Sequence, residues 1–475
     1  MRARVAYLLV GLLTVVLTFI SARASMARYY ELNSAWAWDF AHNNQWMWAL
    51  TYGDGTHTIR PWATFAVEGP SVWKSNHLDP IRFLVVPFFA LNPEPRTLLV
   101  AQSVVFWLCV PAAFALVRHE SGSTLAAFSA AALVPLTPIL WPLALDDFRD
   151  IQLGIPFVIV AVDGYRGRVK WLTALGIAWM LACRQEYALV VASLALVPGR
   201  QAESARRTRR WALTVIATAM GWLLVYFAYL AATAGPSAPR LYLEQFAGPR
   251  PSPIQSLWIA IDLLAVGLGS WAPLALLVPR LGVAMAPWIW FLARGLFSLF
   301  SLATAAWRKV RYTAPYAGIG LAGGLVGYAR LARWALDRPG SRGRWLLAAA
   351  WTASAIGLVL ARHEVDNRMA HIPRYISPDE AKVAWDWITR VRPDEGVLAT
   401  YILSAPLSSR QHLYSYIMNL NLPPGYPRLV PTIRWAFLGR GDLPPSILTN
   451  QGFRLVHEGE SLWIFRRSDD VLQPR

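Results

Sequence analysis

The side chains best suited to chemistry fall in short polar stretches set between long apolar runs. Trp38-Asp39-Phe40-Ala41-His42 puts a carboxylate and an imidazole about one helical turn apart, near enough for the ring to orient the acid. Such a carboxylate can take the proton of an attacking hydroxyl; its plain structural alternative is a helix cap or a solvated loop acid. His77 and Asp79 repeat the pairing of imidazole and acid. Asp39 with His42, or His77 with Asp79, could offer hard ligands to a divalent cation, although neither spacing is diagnostic. Asp146, Asp147, Arg149 and Asp150 cluster at the end of an apolar run, either as reacting acids beside a phosphate-binding arginine or as a helix-end cluster paired with itself. Arg184 and Glu186 lie between two short apolar runs, and charges at membrane depth normally face a cavity and a partner. Arg308, Lys309 and Arg311 beside Tyr312 supply three cations of the kind that holds phosphate. Serine and cysteine nucleophile arrangements are absent, and Cys109 and Cys183 lie in apolar runs, which excludes a disulfide framework and a cysteine zinc site.

What must position these residues is mostly apolar. Of 475 residues, 55% are hydrophobic and only 15% charged, with a mean hydropathy of +0.35. A water-soluble domain carries roughly 25% charged residues, so lipid must cover part of this chain. A spanning helix needs about 20 apolar residues. The candidate runs are 5–22, 98–117, 125–145, 151–162, 171–182, 187–197, 211–232, 254–278, 283–302, 314–331 and 345–361, giving a polytopic α-helical bundle of about eleven spans. Several runs between 151 and 197 are short, as half-length helices are where their ends are buried in protein.

Charge sets the orientation. The net charge of +17 divides into +15 over residues 1–361 and +2 over 362–475. Arg2 and Arg4, Arg118, Arg166 to Lys170, Arg206 to Arg210, Arg280, and Arg330 to Arg344 fall in alternate loops, which the positive-inside rule places in the cytoplasm. Residues 23–78 then form a first outer loop of about 55 residues, and the carboxy-terminal part lies outside the cytoplasmic (inner) membrane. Ala22-Arg23-Ala24 has the look of a signal-peptidase site, but the apolar stretch exceeds the usual core of about 7 to 15 residues, so an uncleaved anchor is expected. Basic loops explained in this way leave no nucleic-acid groove to propose. Arg308, Lys309 and Arg311 break the alternation by falling outside.

Residues 362–475 read as a small soluble α/β domain. Ser377-Pro378-Asp379-Glu380 is a capping box opening a helix to about Arg390, and 396–401, 434–438, 453–457 and 462–466 are short strands, the last two forming a hairpin.

Several of these stretches together carry a family resemblance. Trp38-Asp39-Phe40-Ala41-His42-Asn43-Asn44-Gln45-Trp46 with Gly53 resembles the Asp-rich opening of a prokaryotic family of multi-span membrane proteins known only as domain of unknown function 2079. Asn76-His77-Leu78-Asp79-Pro80, Asp147-Phe148-Arg149-Asp150 before Ile155-Pro156-Phe157, Arg184-Gln185-Glu186, and Leu407-Ser408-Ser409-Arg410 follow in the family's order. Phe148-Arg149-Asp150 replaces a usual Phe-His-Pro, and Arg311-Tyr312 a usual His-Tyr. That family is similar in layout to GT-C glycosyltransferases. The resemblance therefore implies transfer of a sugar from a polyprenyl-phosphate donor to an acceptor outside the cytoplasm. Asp39, His42, Asp147 and Asp150 would be the catalytic candidates, and Arg149, Arg184, Arg308, Lys309 and Arg311 the phosphate-binding ones. His77, Asp79 and Glu186 would complete the pocket. The rival readings are a transporter or flippase with a midplane site, resting on deeper charges such as Arg294 or Asp262, and a non-catalytic membrane scaffold.

Overall fold

The computed structural model describes residues 3–33, 37–53, 55, 77–201, 204–244, 252–291, 310–338, 341–370, 376–416 and 432–468. Among them, four helices are long and apolar enough to cross a membrane: Ala3–Tyr30, Pro95–Ser121, Ala205–Thr233 and Arg342–Asn367. The other candidate runs form shorter or segmented helices, so a count of about eleven crossings does not follow from helix length.

The breaks have local causes. Pro111 cannot donate to the Trp107 carbonyl, and Pro95–Phe106 and Cys109–Ser121 are separate segments. The expected run 125–145 breaks at the 3-10 turn Val134–Leu136 around Pro135, and the run 254–278 breaks after a π-turn, Leu263–Leu268, at Gly269 with φ +54°. These two breaks satisfy one another: the Ile139 N–H donates to the Gly267 carbonyl at 3.1 Å, and Trp271 Nε1 donates to Thr137 Oγ1 at 2.7 Å. Irregular backbone is tolerated at such depth only when protein buries it.

The core is organised around helix Ala314–Leu336, buried almost throughout. Its glycines let neighbouring backbone approach closely. A Cβ on Gly327 would lie 1.8 Å from the Leu274 carbonyl oxygen. Tyr316 Oη donates to the Leu263 carbonyl at 2.8 Å, tying this helix to the π-turn.

Residue 361 lies inside a helix that runs on to Ala370, and the carboxy-terminal part of the chain follows. It holds helix Pro378–Ile388 and a five-stranded sheet: β1 Gly396–Thr400, β2 Leu413–Tyr416, β3 Ile433–Gly439, β4 Phe453–Glu458 and β5 Leu462–Arg467. The order is β2-β1-β3-β5-β4, with β1 parallel to β2 and β3, and β5 antiparallel to β3 and β4. Only half of the expected capping box forms. Ser377 accepts from the Glu380 N–H at 3.2 Å, but the Glu380 carboxylate turns to the hairpin and accepts from the Ser461 and Leu462 N–H groups at 2.7 and 3.1 Å. One sheet face, with Val397, Ala399, Trp435 and Phe437, joins the main core; the other covers a small core around Leu398, Leu448 and Phe465.

Candidate active site

Asp39 stands in the first turn of helix Ala37–Thr51, where the helix dipole favours a negative charge. Its Oδ2 lies 2.6 Å from Arg149 Nη1 and 3.2 Å from Arg311 Nη2. The two arginines come from distant parts of the chain. Arg149 precedes the 3-10 turn Asp150–Gly154, and Arg311 sits in the 3-10 turn Val310–Thr313 that leads into the glycine-rich helix. Gln102 holds the Arg149 segment from both sides: its Oε1 accepts from the Arg149 N–H at 2.8 Å, and its Nε2 donates to the Asp146 carbonyl at 3.0 Å. Asn43 Nδ2 donates to the Phe148 carbonyl at 3.2 Å, so the helix bearing Asp39 grips the same segment. Gln152 Nε2 donates to Asp146 Oδ2 at 3.1 Å, and Asp146 lies within electrostatic reach of the same Arg149 and Arg311.

The Asp39 side chain is 23% exposed, whereas those of Arg149 and Arg311 are almost fully covered. Burial by itself would raise the carboxyl, but Arg149, Arg311 and His42 together outweigh it and hold it below the ordinary carboxylate value.

A second charged group adjoins the first through the neighbouring residues 149 and 150. Arg82 Nη2 lies 2.5 Å from Asp79 Oδ2 and 3.0 Å from Asp150 Oδ2, with Nε 3.1 Å from the latter. All three are buried, and Arg82 also stacks on Trp46 at 5.3 Å. One guanidinium cannot balance two carboxylates. Burial, together with the Asp150 charge and against the pull of Arg82, pushes Asp79 above its ordinary value. Arg82 Nη1 is a buried donor without a hydrogen-bond partner among the described residues.

His77 completes this wall. Burial, then the charges of Arg184 and Arg82, keep its imidazole neutral. Arg184 Nη2 stands 2.6 Å from Nε2, and since arginine only donates, Nε2 must accept. Nδ1 therefore carries the proton; Gln185 Nε2 is the amide atom placed 2.9 Å away, and turning that amide over presents its oxygen to the proton. Arg184 Nε faces Glu186 Oε2 at 3.4 Å.

The carboxy-terminal domain packs against this group of residues. Tyr401 lies within electrostatic reach of Asp39, Arg149, Asp147 and Arg311; burial, then the Asp39 charge, keeps its phenol protonated. Asn44 Nδ2 donates to Ser408 Oγ at 2.8 Å and to Ser409 Oγ at 3.0 Å, and Gln45 Nε2 to the carbonyls of Arg410 and Gln411 at 3.0 and 2.9 Å.

The structure thus brings Asp39, Arg149 and Arg311 together and groups His77, Asp79, Asp150, Arg184 and Glu186 beside them. His42 is half-buried, one of the charges acting on Asp39, and Asp147 is buried in the same segment as Arg149. Arg294, Arg308, Lys309 and the loop residues 56–76 lie outside the described residues. Arg82, Gln102 and Tyr401 were not singled out in the sequence, and Gln185 entered only within the stretch Arg184-Gln185-Glu186. Arg82 carried a signal, a lone cation opening an apolar run, whereas Tyr401 carried none. Among the described residues no group of three or more His, Cys, Asp or Glu side chains could hold a metal ion, and the carboxylate nearest the centre, Asp39, is already matched by arginines.

A bundle of broken helices, a helix after the first span carrying the acid and a small sheet domain packed over it define an integral membrane protein of GT-C fold. The chain is similar to ArnT from Cupriavidus metallidurans, in its crystal structure bound to undecaprenyl phosphate (TM-score 0.54, 13% identity, covering 99% of each chain). It is equally similar to the apo state of that protein (TM-score 0.53, 14% identity, 100% of each chain). No curated protein matches the chain. By sequence it belongs to the family described as predicted membrane protein (DUF2079), whose model matches residues 28–439.

Proposed function

We propose that this protein is a membrane glycosyltransferase that moves a sugar from a polyprenyl-phosphate donor to an acceptor outside the cytoplasm. The observation that carries the reading is the Asp39 carboxylate held between Arg149 and Arg311 beneath the soluble domain. The undecaprenyl phosphate bound by ArnT supports a lipid phosphate as the partner. Both arginine contacts use Oδ2, so Oδ1 is the oxygen assigned to the acceptor hydroxyl. In the reaction the acceptor oxygen forms a bond to the anomeric carbon while the carbon–oxygen bond to phosphate breaks. The hydroxyl proton passes to Asp39, and the electron pair of the broken bond leaves on the polyprenyl phosphate. Arg149, Arg311, Arg82 and Arg184 are the cations placed to meet that charge, and guanidinium groups do so through paired, charge-assisted hydrogen bonds. His77, kept neutral, orients Arg184. Arg308 and Lys309 remain candidates for the same phosphate, and the arginine alternation of the loops supports a site and a carboxy-terminal domain outside the inner membrane.

The test is turnover of radiolabelled polyprenyl-phosphate sugars by the protein in lipid nanodiscs supplied with envelope acceptors. Asp39→Asn should slow transfer by at least about a hundredfold, the usual share of general base catalysis. Folded Asp39→Asn protein working at the parent rate, or a parent that consumes no such donor, would overturn the reading.

A further inference from the structure

The carboxy-terminal domain has a polar cleft whose lining does not include Asp39. A cleft of about 640 Å³ lies between the carboxy-terminal end of helix Pro378–Ile388 and the β3-β5-β4 side of the sheet. Six of its ten lining residues are arginines, and Glu395 is the one acid among them. That acid is engaged: Glu395 Oε2 accepts from the Arg392 N–H at 2.9 Å and from Trp435 Nε1 at 3.0 Å.

The arginines are arranged at their own expense. Arg454 stands directly across from Arg466 in the β4–β5 ladder, and like charges in that relation destabilise a sheet. Arg467 is buried at 8% exposure; burial, then the charge of Arg434, draws its guanidinium below the ordinary arginine value. Arg392 is engaged within the chain, its Nε 3.4 Å from Asp394 Oδ1 and 3.9 Å from Glu395 Oε1; the excess of arginines over the one acid in the lining still suits an anion brought by a ligand.

The remaining lining residues narrow its class. Trp387 and Trp435 lie 6.2 Å apart at 58°, each with a guanidinium stacked on it: Arg390 at 4.4 Å and Arg466 at 5.1 Å. Indole rings present apolar faces that suit the C–H faces of sugar rings, while the arginines suit phosphate or carboxylate. Val456 is the sole aliphatic residue in the lining, which gives an acyl chain nothing to rest on. The volume falls in the ligand-pocket range of about 300–1,000 Å³, well beyond the needs of a free phosphate ion. We propose that this cleft binds an anionic saccharide, a glycan segment bearing phosphate or carboxylate groups.

The cleft is also wired to the helix of Asp39. Arg410 Nη1 donates to the carbonyls of Arg392 and Glu395 at 3.1 and 2.8 Å, and the Arg410 carbonyl accepts from Gln45. If the transferase reading holds, the saccharide is the charged part of the acceptor; binding itself does not rest on that reading.

Titration calorimetry of the full chain in nanodiscs tests the proposal without reference to turnover. The probes are tetragalacturonate, a phosphorylated mannotetraose, neutral maltotetraose, inorganic phosphate and vesicles containing phosphatidylglycerol. At least one anionic saccharide should bind saturably and more weakly as salt is added. The double variant Arg454→Gln/Arg466→Gln should weaken it by about tenfold or more, the equivalent of one charged hydrogen bond, while Arg454→Lys/Arg466→Lys retains most of it. The Gln variant should unfold at the parent midpoint or above, because it relieves repulsion; should it fail to fold, the exposed Arg390→Gln takes its place. The proposal is overturned if neither anionic saccharide binds more tightly than maltotetraose, or if the Gln variants bind like the parent. It is equally overturned if inorganic phosphate binds as tightly as the saccharides, or if only the vesicles bind through these arginines, which would make the cleft a simple anion site or a membrane contact.

Discussion

Asp39 shares one oxygen between Arg149 and Arg311, and at Asp79 and Asp150 the ratio is reversed, with two carboxylates on Arg82. The two arrangements have opposite pH signatures. Asp39 titrates below its ordinary value, so the stability it contributes is complete above about pH 4 and is lost only as pH falls through the depressed value. Asp79 titrates above its ordinary value, so the folded state holds a proton that the unfolded chain has released, and stability falls as pH rises from about 4 through the raised value. Asp79→Asn keeps the hydrogen bonding and removes the titration. It should match the parent near pH 4 and be the more stable protein at pH 8, as read from unfolding midpoints across pH. Parallel profiles for the two proteins would refute the assignment. At this scale the sequence was informative wherever a charge stood out of place: Asp39 among tryptophans, Arg149 among acids, Arg311 on the wrong side of the charge rule. It was silent on Gln102 and Tyr401, because an uncharged side chain acquires its role from a partner far away in the chain.

The elements were legible as apolar runs and less so as shapes. Runs 125–145 and 254–278 each read as one span, yet Pro135 and Gly269 break them, and the two breaks pair through Ile139 and Gly267. Run 314–331 read as an ordinary span, although its glycines mark it as the helix against which the others pack. Hydropathy does not distinguish lipid-facing glycine from glycine under a neighbouring backbone. Gly327 is the sharpest case, since the Leu274 carbonyl oxygen would lie 1.8 Å from an added Cβ, and backbone cannot swing aside as a side chain can. Gly327→Ala should therefore cost about 1–3 kcal/mol of stability through overpacking. Gly221→Ala in helix Ala205–Ala234, where nothing lies within 4 Å, should be neutral or stabilising. Thermal unfolding of both variants in the same detergent checks the contrast, and equal losses would mean that the close approach is not sensed. Far from the site, the buried Glu120 carboxylate receives Arg166 through two contacts of 2.8 Å, and Arg200 bridges it to Asp163. Arg166 had entered the sequence reading only as a topological marker; its ion pair joins two helix ends that no local pattern relates.

For the whole molecule, the question is how the carboxy-terminal sheet domain and the helical bundle are joined around the candidate site. They meet at helix Ala37–Thr51, whose Asn44 and Gln45 bind the loop of Ser408 to Gln411, and at the end of the first helix, where Trp385 Nε1 donates to the Tyr30 carbonyl at 2.8 Å. Sequence order alone could not place residue 408 beside residue 44, although both stretches carried the family resemblance. The amides are buried, so removing them leaves the loop's hydroxyl and carbonyl groups facing a gap, at about 1–3 kcal/mol for each unsatisfied group. That cost falls on the docking of the domain, because these bonds lie within neither body. Asn44→Ala/Gln45→Ala should accordingly raise hydrogen exchange in residues 396–416 and leave helix Ala314–Leu336 as protected as in the parent. Tyr401 rides on the loosened segment, so sugar transfer should fall in step with the lost protection. Unchanged exchange in 396–416 would mean that the sheet is held by its apolar face alone, and that the amide contacts are incidental to how the site is closed.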